Sequence, residues 1–194
     1  GYPDTLSVTV EDMLHHTRAV VRGTKSALIV GDMPYLSYHV SIEESVRNAG
    51  QFMQAGAHAV KVEGAKKSRL DTIAAILDAE VPVMGHIGLT PQSVNAMGGF
   101  KLQGKNADDA RRLIDEAGAL EGIGCFSIVL EGVPPELAAM ITDLLGTKSL
   151  QPVVLVGVGN LGLALLSYRG FEQEGFEIIA AFDVSIDRRR GKQV

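Results

Sequence analysis

A single cysteine in 194 residues leaves nothing from which to build an internal disulfide framework. Cys125 fits a reducing cytosol and reads as a small apolar residue entering a strand rather than as a nucleophile. No apolar run approaches the roughly 18–20 residues that a membrane span needs, so no membrane partner is expected. A basic face for nucleic acid is also missing. The net charge is −5, and the one basic run, residues 188–190, sits near the end of the chain as a solvated tail. The opening Gly1-Tyr2-Pro3-Asp4 carries no secretory pattern and suggests a chain cut from something longer. Between the periodic segments there are no hairpin signals and no long linker.

What is present is an α/β pattern. Hydrophobic residues make up 46% and charged residues 21%, ordinary values for a soluble globular chain, and the 22 glycines suit many tight strand-to-helix turns. Helical spacing over 10–21 follows the cap Thr9, and a helix over 42–54 follows Ser41, with Glu44 completing a capping box. Further helices are predicted over 68–78, 108–121, 135–145 and 161–174. Short apolar runs at 27–31, 59–62, 81–85, 126–130, 153–156 and 177–182 read as strands covered on both faces. Residues 88–105 read as a long loop, a length that is usually functional or mobile. Strands alternating with helices predict a single parallel sheet of about six strands joined by right-handed crossovers.

In such a sheet the C-terminal strand ends share one rim, where sites form. The first four strands end in Asp32, in Lys61 and Glu63, in His86, and in Glu131. Lys61 and Glu63 are two apart on one strand and so face the same side. Any one acid at a strand end is more often a helix cap or a surface charge, and His86 alone could be a satisfied core histidine. Five such residues on successive strands are a different matter. Three carboxylates, an ammonium and an imidazole on one rim could hold a hard metal and move protons.

The segments around them, TLSVTVEDMLHHT, GDMPY, VKVEG, GHIGLTPQSVNAMGGFKLQGK and VLEGVPPELA, resemble ketopantoate hydroxymethyltransferase, a (β/α)₈-barrel family, over about residues 2–145. The resemblance implies that a Mg²⁺-bound 2-oxoacid is deprotonated to an enolate, which adds to a one-carbon unit carried by tetrahydrofolate. It places Asp32 in the metal site as a ligand and Glu63 in the outer shell. Lys61 and His86 would contact the oxoacid or enolate, and Glu131 would be the general base. The residue types suit that chemistry: Mg²⁺ takes oxygen ligands and keeps waters, and an enolate needs positive charge nearby. Against the family pattern, the first two barrel strands, with a Gly-Asp-Ser turn carrying a further metal ligand, and the last two are missing. The catalytic set is therefore expected to be vestigial.

The remaining segment reads differently. Gly157-Val158-Gly159-Asn160-Leu161-Gly162 fits G-x-G-x-x-G between an apolar strand and an amphipathic helix, and Asp183 ends the next strand near the expected ~20-residue spacing. Gly157 would make the turn, Gly159 admit a pyrophosphate, Gly162 allow close packing, and Asp183 accept from a ribose. The stretch from about 145 resembles the NAD(H)-binding domain of Rex-type redox-sensing repressors, without their DNA-binding winged helix. The expected architecture is thus a partial barrel (1–145) fused at 146–149 to a Rossmann βαβ unit (146–194), packed as one continuous domain.

The functional expectation is an engineered chimera, not an enzyme, requiring no cofactor, with weak adenine-sided NAD(H) binding through Gly157, Gly159, Asn160, Leu161, Gly162 and Asp183. The alternatives are Mg-dependent 3-methyl-2-oxobutanoate hydroxymethyltransferase-like activity and an NAD(H)-binding module. Both parent families imply a cytoplasmic setting, here for a recombinant assembly. An inner sheet face left without its barrel partner, including 27–30, 81–84 and 126–130, is expected to drive homodimerisation.

Overall fold

In the computed structural model, residues 4–146 and the backbone of 151–156 and 176–182 are described. The elements run α1 (Val10–Gly23), β1 (Val30–Asp32), α2 (Ile42–Gln54), β2 (Ala59–Glu63), α3 (Lys67–Asp78) and β3 (Val83–Gly88). A 3₁₀ turn (Pro91–Ser93) leads into α4 (Val94–Met97), α5 (Ala107–Gly122), β4 (Ser127–Glu131) and α6 (Pro135–Leu144). Two more strands follow, β5 (Gln151–Val156) and β6 (Phe176–Phe182). The region read as one long loop therefore contains two short helical turns, the first opening with Pro91, whose fixed φ suits a helix start.

Short polar side chains set where helices begin. The Thr9 hydroxyl accepts from the Asp12 N–H at 3.1 Å, and the Asp12 carboxylate accepts from the Thr9 N–H at 3.0 Å. The reciprocal box thus stands at Thr9. At Ser41, where it was expected, the hydroxyl accepts the Glu44 N–H at 3.1 Å without a return bond among the described residues. Asn106 caps α5 by accepting from the Asp109 N–H at 2.8 Å. Each cap contributes about 1 kcal/mol.

The chain divides into two compact units, Gly1–Ile141 and Thr142–Val194. In the first, the strands form a parallel sheet in the order β1-β2-β3-β4. Helices α2 and α5 bury residues at helical spacing, Ser45, Asn48, Ala49 and Phe52 on α2 and Leu113, Ala117 and Leu120 on α5. With Ile73 and Ile76 of α3 and with Val60, Val62, Val83 and Ile87 of the strands they make the core. Strand β1 starts at Val30 rather than at 27, because pairing begins only where the Ile29 carbonyl accepts the N–H groups of His58 (2.8 Å) and Ala59 (3.3 Å). Two glycines are dictated by contact. A Cβ at Gly31 would collide with the Phe52 ring, and Gly88, at φ +91°, lies against the backbone oxygen of Glu131.

In the second unit β5 and β6 pair in parallel with each other, with a register shift between Val153 and Val154. The expectation of one six-stranded sheet is therefore corrected: the sheet of the first unit has four strands, and β5 and β6 pair with each other. Helix–strand alternation constrains strand direction and crossover hand, but it does not decide which strand a new one pairs with. The helix expected over 161–174 lies outside the described residues. Among the described residues, no helix is long and apolar enough to cross a membrane.

These contacts separate two glycines. Gly31→Ala should destabilise by about 1–3 kcal/mol through overpacking against Phe52. Gly118→Ala, in open space within α5, should stabilise by about 0.5–1 kcal/mol. Urea unfolding of the two variants checks the opposite signs.

Candidate active site

The parallel register builds the site before any side chain is considered. Asp32 lies opposite Lys61, Glu63 opposite His86, and Gly88 opposite Glu131. The ladder continues past the strand ends: the Gly64 N–H donates to the His86 carbonyl (2.8 Å) and the Leu89 N–H to the Glu131 carbonyl (2.7 Å). All five expected rim residues come together. Lys61 Nζ lies 3.0 Å from Asp32 Oδ2. The His86 ring sits between two carboxylates, with Nε2 3.2 Å from Glu131 Oε2 and Nδ1 3.7 Å from Glu63 Oε1.

Burial sets the protonation states. The His86 side chain is 1% exposed. Its pKa is lowered to about 4 by loss of water and by the Lys61 charge. The ring is therefore neutral near pH 7, with one N–H donor and one acceptor nitrogen. Burial raises Glu63 to about 7, against the Gln92 backbone bond and the Lys61 charge. Burial also raises Asp32, with the Lys61 charge and hydrogen bond opposing it. Three buried polar atoms on this rim, Asp32 Oδ1 and both nitrogens of His86, have no well-formed hydrogen bond among the described residues. Such atoms are costly to leave unmade, and ligand atoms would satisfy them.

Three residues not singled out in the sequence complete the rim. Gln92 donates its backbone N–H to Glu63 Oε2 at 3.0 Å and its side-chain N–H to the Met33 carbonyl at 2.8 Å. Tyr38 donates its hydroxyl to Gln92 Oε1 at 2.7 Å and accepts the Glu63 N–H at 3.3 Å. Arg69 lies over the Tyr38 ring, 4.3 Å from its centroid, and donates to the Glu63 carbonyl (3.1 Å) and to the Tyr38 carbonyl. Their available signal was position alone: Gln92 belongs to the motif GHIGLTPQS, Tyr38 follows GDMPY by three residues, and Arg69 lies in no such motif.

The donor types fit a hard divalent cation. Asp32 has one unpartnered buried oxygen, and Glu63 is an oxygen donor on the next strand. No group of three His, Cys, Asp or Glu side chains gathers into a metal site among the described residues. Asp32 and Glu63 are the two carboxylates that could hold an ion such as Mg²⁺, which binds through one or two carboxylates and keeps several waters. The predicted nucleotide residues Gly157, Gly159, Asn160, Leu161, Gly162 and Asp183 lie outside the described residues.

Residues 1–161 match the family profile described as ketopantoate hydroxymethyltransferase. The chain belongs to that family. It is 54% identical over 160 residues to the 3-methyl-2-oxobutanoate hydroxymethyltransferase of Syntrophomonas wolfei, covering 82% of this chain and 56% of the relative. The enzyme of that name from Clostridium botulinum (strain Langeland) is 56% identical over 161 residues, 82% of this chain and 57% of the relative. The chain thus spans little more than half the length of these curated relatives. Among solved structures, the fold resembles 2,3-dimethylmalate lyase, a PEP mutase/isocitrate lyase superfamily member. The TM-score is 0.57 and the identity 15%, covering 92% of this chain and 61% of the other.

These findings overturn the engineered, non-enzymatic chimera. The family match runs through the expected seam at 146–149 and past Gly157 and Gly159, so no change of family falls at that seam. The relatives carry the names of enzymes. The seam was placed where a helix ends before a strand and the resemblance to a second family begins, and the family match crosses it.

Glu63 yields a pH prediction. Its folded value lies above its free value of 4.5, so the stability it contributes is present below pH ~4.5 and is lost as pH rises through about 7. The full loss is on the order of 3 kcal/mol. His86 has the opposite sign, with stability lost as pH falls from its free value of 6.5 toward 4. Glu63→Gln should therefore be more stable than the parent at pH 8 and gain little at pH 5. Urea midpoints at the two pH values check it, and an equal difference at both would contradict the assignment.

Proposed function

We propose that this chain carries the enolising half of a 3-methyl-2-oxobutanoate hydroxymethyltransferase. The observation that carries the reading is the buried His86 held between Glu63 and Glu131, beside the Asp32–Lys61 pair, in a chain of this family. The substrate class is taken from the relatives' names.

Each residue then has a physical task. Asp32 would hold a divalent cation through its free oxygen, with Glu63 behind it accepting from bound water. When bound, the cation would polarise the keto group as a Lewis acid. Lys61, already drawn toward Asp32, places a positive charge where negative charge develops. Glu131, half exposed at its strand end, takes the proton from the carbon next to the ketone. The C–H electron pair becomes the enolate double bond, and the carbonyl π pair moves to oxygen. His86 donates its one N–H to that oxygen. The nucleophilic carbon then adds to the carbon of a one-carbon unit at the formaldehyde level, whose C=O π pair moves to its oxygen, and that oxygen takes the proton held by Glu131 to become the new hydroxyl.

Proton abstraction can be isolated from one-carbon transfer. With Mg²⁺ in D₂O, the chain should exchange the C3 proton of 3-methyl-2-oxobutanoate for deuterium faster than buffer. Glu131→Gln should lower that rate at least ~100-fold. An exchange rate equal to buffer, or one unchanged in the variant, would contradict the reading.

A further inference from the structure

Gln92 touches three segments that meet at the rim. Its backbone N–H reaches the Glu63 carboxylate at the end of β2, and its side chain reaches both the Met33 carbonyl just past β1 and the Tyr38 hydroxyl. The directions of these bonds are forced. The Tyr38 hydroxyl accepts the Glu63 backbone N–H, so its own proton goes to Gln92. The Met33 carbonyl can only accept, so the Gln92 amide nitrogen must face it. Both requirements give the same amide orientation. The network is also dry: Gln92 is 8% exposed, Tyr38 1%, Glu63 6% and Met33 0%.

Tyr38 is itself fixed independently of Gln92. The loop before it holds Leu36 in the left-handed region at φ 67°, which is unfavourable for a residue with a Cβ. That turn is braced by Ser37, whose N–H and hydroxyl both donate to the Pro34 carbonyl at 3.1 and 2.7 Å. Asn48 of α2 donates to the Ser37 carbonyl at 2.7 Å. On its far side, Tyr38 lies under the Arg69 guanidinium.

We propose that Gln92 is a positioning residue: by joining Met33, Tyr38 and Glu63 it fixes the Glu63 carboxylate against His86 and relative to Asp32. It touches no substrate in this account and acts through Glu63. The proposal rests on the enolisation reading only for its consequence toward a cation. The geometric claim concerns the chain alone, with or without ligand.

The test separates the two. The Glu63 carboxyl ¹³C signal and the His86 ring ¹⁵N signals are recorded in the metal-free chain, the former assigned with Glu63→Gln. Gln92→Met keeps the length of the side chain and removes both side-chain bonds. It should shift the Glu63 and His86 signals. Val94→Ala, a neighbouring buried apolar deletion, should lower stability without moving them. Tyr38→Phe removes the hydroxyl alone and should move the same signals, which keeps the test decisive if Gln92→Met does not fold. Mn²⁺ titration of the parent and Gln92→Met should show a 10–100-fold loss of affinity. A parent that binds no Mn²⁺ would remove the cation reading while the NMR comparison still decides the positioning claim. Unmoved Glu63 and His86 signals in the folded variants, or equal movement in Val94→Ala, would overturn it.

Discussion

The site depends on the in-register parallel pairing of β1, β2 and β3. Because side chains alternate along a strand, Lys61 and Glu63 share a face, and the same ladder sets Asp32 beside the first and His86 beside the second. Slipping one strand by a residue would send its rim groups to the opposite face. The register is held from behind by helices that leave no slack. Phe52 of α2 fills the space that a side chain at Gly31 would need, and Gly88 is pressed to the backbone of β4. Packing on the helix side and chemistry at the strand ends are thus two consequences of one alignment.

Burial then turns this alignment into reactivity. Two carboxylates and an imidazole in water would hold ordinary charges. Here loss of hydration keeps His86 neutral and makes Glu63 a reluctant anion, with the Lys61 ammonium as the nearby positive charge. Groups pushed apart in this way, beside an exposed carboxylate at Glu131, suit a reaction in which a proton leaves carbon and negative charge appears on oxygen. The atoms left without good hydrogen bonds are on this same rim.

Local chemistry was legible in the sequence wherever a single residue decides it. The bounds of α2 follow from the cap at Ser41 and the helical pattern after it, and the five rim residues follow from strand ends. Features decided by a distant partner were not. β1 begins where β2 supplies bonds, and the apolar 27–29 that precede it resemble strand just as well. Gln92 lay hidden in a stretch read as loop, since its role exists only once Met33, Tyr38 and Glu63 arrive from other strands. The separate pairing of β5 with β6 is a choice of neighbour, and alternation carries no information about it. The G-x-G-x-x-G pattern at 157–162 lies outside the described residues.

We propose that the unsatisfied atoms of His86 meet an oxoacid. The most direct measurement is the ¹⁵N spectrum of the His86 ring as 3-methyl-2-oxobutanoate is added in the presence of Mg²⁺. The account predicts a saturable shift of the His86 nitrogens that is lost in Asp32→Asn, with the other histidines unmoved. A His86 ring that keeps its free spectrum while the oxoacid binds elsewhere would contradict it.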